Sequence, residues 1–426
     1  MRRLLVASAI LATILTMPIG AAAASPTASP TPIPTPGPTF SAAATDSQRA
    51  AGALDYLLAA QSPDGSIDKS LGETADYIIG AAAAGYDPAT LAGCTSGGTS
   101  ALAFLATASD AAKSDAAQTG KASLAVVAAG LDPAAFSGRD LVARLASLYH
   151  SGTGAYGDGS TYAQAFAILA LHASGGTVAP AATAKLIALQ DTDGSWSYGK
   201  APVAAGGGDT NSTGIALMAL DASGVHSADA SALAYLATQQ LADGGFPYQN
   251  STAFGTPASD PDSDSIVLQA LVAAGQDPAA AAWSKGAATV VTSLKAAQSI
   301  DGGFFFPGSG ESAFTASQVP AALAGVPYGA PSHIRTGVSV PGTQCPGYVP
   351  AASPSAGPSQ DVVVGPAASP SGDAAPGSTA GSGGSSSNSG GGSGGLGLWV
   401  LAAAAVLVVI LAGGGSWFYR ARSRPR

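Results

Sequence analysis

Gln190-Asp191-Thr192-Asp193-Gly194-Ser195-Trp196 is a seven-residue turn that the chain writes more than once. It returns as Gln61-Ser62-Pro63-Asp64-Gly65-Ser66-Ile67, Gln240-Leu241-Ala242-Asp243-Gly244-Gly245-Phe246 and Gln298-Ser299-Ile300-Asp301-Gly302-Gly303-Phe304. A looser copy runs through His150, Gly154 and Tyr156. Each copy follows an apolar helical run, such as Ala232 to Gln239, and precedes a second run that ends in Gly. Recurrence of one such element along a chain is the signature of stacked supersecondary units, none of which buries its apolar face alone.

The second runs align on Gly85, Gly130, Gly175, Gly224, Gly275 and Gly325. Glycine there suits the left-handed cap that stops a helix. Pro88, Pro133, Pro278 and Pro327 follow within three residues and forbid continuation. Six such stops predict six helix pairs, over about 47–88, 97–133, 140–177, 180–226, 228–278 and 284–328. The second pair is degenerate, because its connection lacks the Gln-to-Gly turn. Within each pair the two helices differ. Ile215 to Leu220, Ile266 to Leu271 and Tyr77 to Ala82 are apolar nearly all round, so they belong inside on every side. Their partners carry Lys, Asp, Ser and Gln and can face water. One buried set inside one amphipathic set describes two concentric layers. An open solenoid, the alternative, needs polar end caps that the sequence does not supply.

The Gln-x-x-x-Gly-x-Trp of Gln190, Gly194 and Trp196 resembles the QW motif of the squalene-cyclase and prenyltransferase repeat superfamily, with Phe and Ile as relaxed forms. The resemblance covers about residues 47–330. It implies an all-α fold, an α6/α6 toroid of six helix pairs around a central cavity. It also implies that the QW residues (Gln190, Trp196, Gln240, Phe246, Gln298, Phe304) are structural, the glutamine reaching backbone at a helix end and the ring packing beside it. In a ring closed this way the sixth pair adjoins the first. Cys94 and Cys345, on the two loops concerned, then form a disulfide, with two unpaired thiols as the alternative.

The flanks are of other composition. Residues 1–24 read as a secretory signal: Arg2 and Arg3, an apolar run from Leu4 to Ile19, then Ala21 to Ala24. Residues 25–45 are a Pro/Thr-rich linker, 46–348 the folded toroid, and 349–395 a Ser/Gly/Pro-rich stalk too poor in large apolar residues to bury a core. Leu396 to Tyr419 carries no charge and has Trp399 near one end and Trp417 near the other, as in a transmembrane helix. Residues 420–426 hold four arginines, which places that tail in the cytoplasm and the toroid outside. The whole chain has 17 Lys+Arg and 26 Asp+Glu. Without the six arginines of signal and tail, 11 bases face 26 acids, a net charge of −15. Such a domain repels nucleic acid and attracts cations.

Chemistry is to be sought where inner helices begin. Asp209-Thr210-Asn211-Ser212-Thr213 and Asp260-Pro261-Asp262-Ser263-Asp264-Ser265 are acidic and amide clusters. In the class II terpene cyclases of the superfamily, a D-x-D-D motif here supplies the carboxylic acid that protonates an alkene or epoxide. Asp262 falls at that donor position, but Ser263 stands where the last Asp belongs, and the preceding repeat has Asn211 and Ser212. Capping of a helix start accounts for the same residues. No metal site is expected: the superfamily's zinc enzymes use Asp, Cys and His, and neither Cys here sits beside an acid in a repeat helix. Ser212 to Leu220 also resembles the inner helices of extracellular cobalamin carriers, which use the toroid as a receptacle without catalysis.

The expectation is therefore a surface-tethered, non-catalytic receptacle without a cofactor. Its contacts lie at the cavity mouth: Asp209, Asn211, Thr213, Asp262, Asp264, Tyr162, Tyr198 and Tyr248. Cobalamin or a related corrinoid is the implied ligand, with a lid or transporter protein as partner. Two alternatives stand beside it, an isoprenoid cyclase using Asp262 and an adhesive or spacing module.

Overall fold

The computed structural model describes residues 39–94, 97–252, 256–331 and 336–346. The signal, the stalk, the apolar run 396–419 and the basic tail lie outside the described residues. Among those described, no helix is long and apolar enough to cross a membrane. Among the described residues, twelve α-helices alternate in two sets. The outer set is α1 (Asp46–Ala60), α3 (Ala101–Ala111), α5 (Leu141–Ser147), α7 (Pro180–Ile187), α9 (Asp229–Gln239) and α11 (Val290–Ala297). The inner set is α2 (Leu71–Ala83), α4 (Ala116–Ala128), α6 (Thr161–Ala173), α8 (Thr210–Ala222), α10 (Pro261–Ala273) and α12 (Ala313–Leu323). Three two-residue hairpins, β1–β2 (149–150 with 155–156), β3–β4 (284–285 with 288–289) and β5–β6 (305–306 with 310–311), decorate the connections.

Each inner helix packs on the inner helices before and after it, and α12 packs on α2 and α1, so the inner set is a closed ring. All six terminal glycines hold positive φ, from 65° to 88°, as the stop signals require. The inner helices are buried almost along their length; in α8 every residue from Thr210 to Leu220 is. Their lack of a polar stripe follows from that position.

The QW turn holds neighbours together. Gln240 Nε2 donates to the carbonyl of its own Gly244 at 2.9 Å and to that of Trp283, ahead of the next outer helix, at 2.8 Å. Gln61 does the same with Gly65 and Leu91 (2.8 and 3.2 Å), and Gln298 with Gly302 and Arg49 (3.3 and 2.9 Å). The last bond joins the sixth pair to the first, closing the ring. Gln190 reaches Gly194 O and, in the next repeat, Ser231 Oγ (3.0 and 2.8 Å). The turn glycine is needed for two reasons at once. Gly302 has φ +92°, and a Cβ there would lie 2.1 Å from the Gly52 carbonyl oxygen.

The third pair has His150 in the glutamine's place and recovers the interaction from another position. Gln164, on the inner helix α6, donates to Gly154 O at 2.7 Å and Ala182 O at 2.9 Å. These carbonyls are the counterparts of those the turn glutamines use. The degenerate second pair has no turn at all, and its junction to the third is made by charge. Arg139 and Arg144 both meet Asp110, and Arg144 also donates to the Ser109 carbonyl. Cys94 and Cys345 are joined by a disulfide, with Cα atoms 5.2 Å apart, across the seam where chain end meets chain start. Asp55 and Asp87 accept from Thr343 and Gly337 and tie down the same final segment.

Loss of either glutamine leaves two buried carbonyls unpaired, at about 1–3 kcal/mol for each group. Gln164→Leu and Gln298→Leu should therefore each destabilise the ring by ~3 kcal/mol in urea unfolding. An effect of Gln164→Leu below about 1 kcal/mol would remove its equivalence to the turn glutamines.

Candidate functional site

The starts of the inner helices share one construction. Asp209 caps α8, accepting from Ser212 N at 2.6 Å and Ser212 Oγ at 2.8 Å. Asp260 caps α10 identically, through Ser263 N at 2.8 Å and Ser263 Oγ at 3.0 Å. Serine thus stands where a D-x-D-D motif would place its last acid because it completes the cap. Four residues after the caps of α2, α6, α8 and α10 a polar side chain holds the QW-type turn. Thr74 accepts from Ile67 N, Gln164 from Tyr156 N, Thr213 from Trp196 N and Asp264 from Phe246 N. Thr213 and Asp264, expected at the cavity mouth, are occupied in this way. Asp209 is occupied too, by Ser212 and by the Tyr248 hydroxyl at 3.0 Å.

The positions two residues after each cap face the axis instead. There Asn211 Nδ2 donates to Asp262 Oδ2 at 2.9 Å, between neighbouring helices. Tyr162 occupies the same register on α6. Its ring lies 4.9 Å from that of Tyr198, which is 64% exposed. Tyr248, 47% exposed, stands beside Asp209 on the same rim. Of the eight expected contacts, Asn211, Asp262, Tyr162, Tyr198 and Tyr248 gather at this mouth.

One helical turn further in, a second layer is more polar than the apolar reading of these helices predicts. Asp76 on α2 meets the ammonium of Lys121 on α4 at 2.7 Å. The Lys121 Nζ lies over the rings of Phe166 and Tyr328, 5.4 and 5.8 Å from their centroids. Tyr328 comes from the segment after α12, enters the barrel from the far end, and donates its hydroxyl to Asp76 at 2.6 Å. Its ring is edge-on to Phe166 at 5.7 Å. The neighbouring Gly329 packs on Ala222, Leu169 and the Met218 carbonyl. The barrel centre is therefore filled by the chain's own side chains at this depth. Two cavities, of about 350 Å³ by Leu131 and Phe136 and about 410 Å³ by Tyr235 and Gln249, lie on the outside of the ring.

Burial sets the acidity of the mouth. Asp262 is 8% exposed, and burial, reinforced by the Asp260 charge, raises its carboxyl to about 8 against the opposing pull of Lys121 and the Asn211 amide. Glu73, on α2, was not singled out by the sequence. It is 5% exposed and its Oε2 has no hydrogen-bond partner. Burial, then Asp68 and Asp76, raise it to about 8, with Lys121 opposing. Asp209 and Asp260 rise only to about 6, because cap hydrogen bonds offset their burial. At neutral pH the mouth thus holds two uncharged carboxylic acids, at Asp262 and Glu73. Among the described residues no group of three or more His, Cys, Asp or Glu is arranged to hold a metal ion.

No family model and no curated protein sequence matches the chain. Solved structures with the same helical ring do. The type II terpene cyclase MstE from Scytonema is 15% identical over 66% of this chain and 97% of its own, with a TM-score of 0.44. The ent-copalyl diphosphate synthase from Streptomyces platensis is 18% identical over 60% of this chain and 49% of its own, with a TM-score of 0.40. UGL, a glycosidase seen with the saccharide dGlcA-Glc-Rha-Glc, is 13% identical over 66% and 95%, with a TM-score of 0.47. These likenesses concern the α/α toroid alone, and the chemistry has to be read from this chain's own residues.

The raised acids carry a stability signature. Unfolded carboxyls titrate near pH 4, so between about pH 4 and 8 the folded ring binds more protons than the unfolded chain. Stability must then fall as pH rises through that window. Asp262→Asn should flatten part of the decline, stabilising the protein more at pH 8 than at pH 5 in melts run at both.

Proposed function

We propose that the mouth of the ring is an acid-catalytic site of the class II cyclase type, with Asp262 as proton donor. The observation that carries the reading is the Asn211–Asp262 pair in its setting. Donation from Asn211 to Oδ2 marks that oxygen as the acceptor, so the proton sits on Oδ1. A neutral acid at physiological pH is what protonation of an alkene or epoxide demands. Proton transfer forms a C–H bond at the expense of an alkene's π bond, or an O–H bond as an epoxide's C–O bond opens, and in either case leaves a tertiary carbocation beside an Asp262 carboxylate. Tyr162, in the same register as Asp262, supplies a ring near that charge. The reaction ends when the cation loses a proton.

The filled barrel limits the substrate. With Tyr328 and the Asp76–Lys121 pair beneath the mouth, a long chain has no room along the axis, and only the terminal unit of an isoprenoid reaches Asp262. Location follows from composition: the signal-like start and the apolar run before four arginines support presentation outside a membrane, tethered by one helix. A second reading rests on the same filling. A barrel packed with its own side chains suits a spacing or adhesive module on a stalk, and lends nothing to a corrinoid lodged at the axis or to a lid protein over it.

Incubation of the protein with short polyprenyl alcohols, diphosphates and their epoxides, followed by chromatography and mass spectrometry, should yield cyclised isomers of unchanged mass. Asp262→Asn should reduce product by at least about 100-fold. A folded ring that transforms none of these substrates, or one whose Asp262→Asn variant still does, excludes the acid and leaves the spacing module.

A further inference from the structure

The two layers of the barrel have matching composition with one difference. In the deeper layer a carboxylate, Asp76, and two aromatic rings, Phe166 and Tyr328, surround an ammonium that the chain provides, Lys121. One turn nearer the mouth, Asp262 and the Tyr162 ring repeat the acid and the aromatic, each on its own helix. No Lys or Arg is rooted in that layer: Tyr162, Asn211 and Phe314 hold the register on α6, α8 and α12, while Gly72 and Ala117 put no long side chain there on α2 and α4. A Cβ on Gly72 would find no atom nearer than Ser70 Oγ at 3.7 Å, with Lys121 Nζ at 3.9 Å. Glu73, beside this gap, has a buried carboxyl oxygen without a partner. Three acids, Glu73, Asp76 and Asp262, thus share the ammonium of Lys121, which Asp76 already engages.

We propose that the mouth layer binds an organic ammonium group, held by Glu73 and Asp262 against the Tyr162 and Tyr198 rings. The deeper layer is the internal precedent for such a box. The proposal goes beyond the acid-catalytic reading, since it concerns equilibrium binding and needs no turnover. A buried acid pair without a counterion keeps its protons, whereas an entering cation makes ionisation favourable and expels them. The groups facing Asp262 are Asp260, Asp76, Lys121 and Asn211; those facing Glu73 are Asp68, Asp76, Lys121 and Asp262. Asp76 already pairs with the Lys121 ammonium at 2.7 Å, which leaves Glu73 and Asp262 to answer an entering cation. Affinity for the cation therefore rises with pH, by about tenfold per unit for each proton expelled, up to the point at which the free acids ionise unaided.

The test is calorimetric titration of the soluble ring with choline and with its uncharged isostere 3,3-dimethylbutan-1-ol, at pH 6, 7 and 8. Choline should bind at least tenfold more tightly than the alcohol, tighten with pH, and release protons, read as a dependence of the heat on buffer ionisation enthalpy. Glu73→Gln and Tyr162→Leu, each checked for an intact helical spectrum and melt, should weaken choline at least fivefold. Equal binding of choline and the alcohol, no choline binding at millimolar concentration, or unchanged affinity in folded Glu73→Gln would overturn the proposal. A ring that binds choline but makes no isoprenoid product separates this inference from the catalytic one.

Discussion

A primary amide carries two N–H donors, and this ring depends on spending both from one side chain on two different repeats. Gln61, Gln164, Gln240 and Gln298 each join a turn glycine carbonyl to a backbone carbonyl of the following unit. Gln190 replaces the second carbonyl with a serine hydroxyl. Buried carbonyls are costly to leave unpaired. The same bond therefore satisfies a turn and sets the separation of two helix pairs. The glycine beside it permits the approach, because its positive φ and missing Cβ let the next helix's backbone come into contact. Five of the six junctions are built on this one local geometry, the second-to-third being made by Asp110 with Arg139 and Arg144, and Gln298 to Arg49 makes the closure one more copy of the repeat.

Closure has a consequence for the inner helices. Surrounded by neighbours on three sides, each has only a narrow strip facing the axis, one residue per turn. That strip holds the chain's freedom to differ between repeats, since the outward positions are committed to the turns. Thr74, Gln164, Thr213 and Asp264 hold the turns; Asp76, Lys121, Phe166, Asn211 and Asp262 do not. An acid on the strip or beside it is buried by the fold as a whole, which is why burial pushes the Asp262 and Glu73 carboxyls up to about 8 while the capped Asp209 and Asp260 are held lower by hydrogen bonds.

The helix pairs, their glycine stops and the concentric layers were legible in the sequence, because each rests on local chemistry that repeats. Tyr162, Asn211 and Asp262 come together for the same reason, each two residues after a recognisable cap, and Tyr198 and Tyr248 each follow a turn aromatic by two residues. Thr213 and Asp264 share the clusters but sit two residues further on, on the helix face that meets the turn, a 3.6-residue distinction that composition does not register. Gln164 was hidden because its role is defined by two carbonyls 10 and 18 residues away, with no motif around it. Glu73, Asp76 and Lys121 were missed for a related reason. Their helices read as apolar all round, and single polar residues on a buried helix look like exceptions until the ring brings them together. Tyr328 lies beyond the last glycine stop, where the repeat gives no guide.

Tyr328 also decides what kind of toroid this is. A ring of helices around an axis leaves a lumen unless side chains fill it, and the repeat leaves that choice open. Here the segment after α12 turns back, its tyrosine closes on Asp76, and Lys121 fills the space between that ring and Phe166. The segment is then held in place by Asp87, Asp55 and the Cys94–Cys345 disulfide, all at the seam where the ring closes. The devices that close the ring thus also seat its plug. Whatever the mouth binds meets a floor one helical turn down, made of an ion pair and two aromatic rings. In the proposed readings a site of that depth receives only the end of a molecule, and selects by the charge and shape of that end.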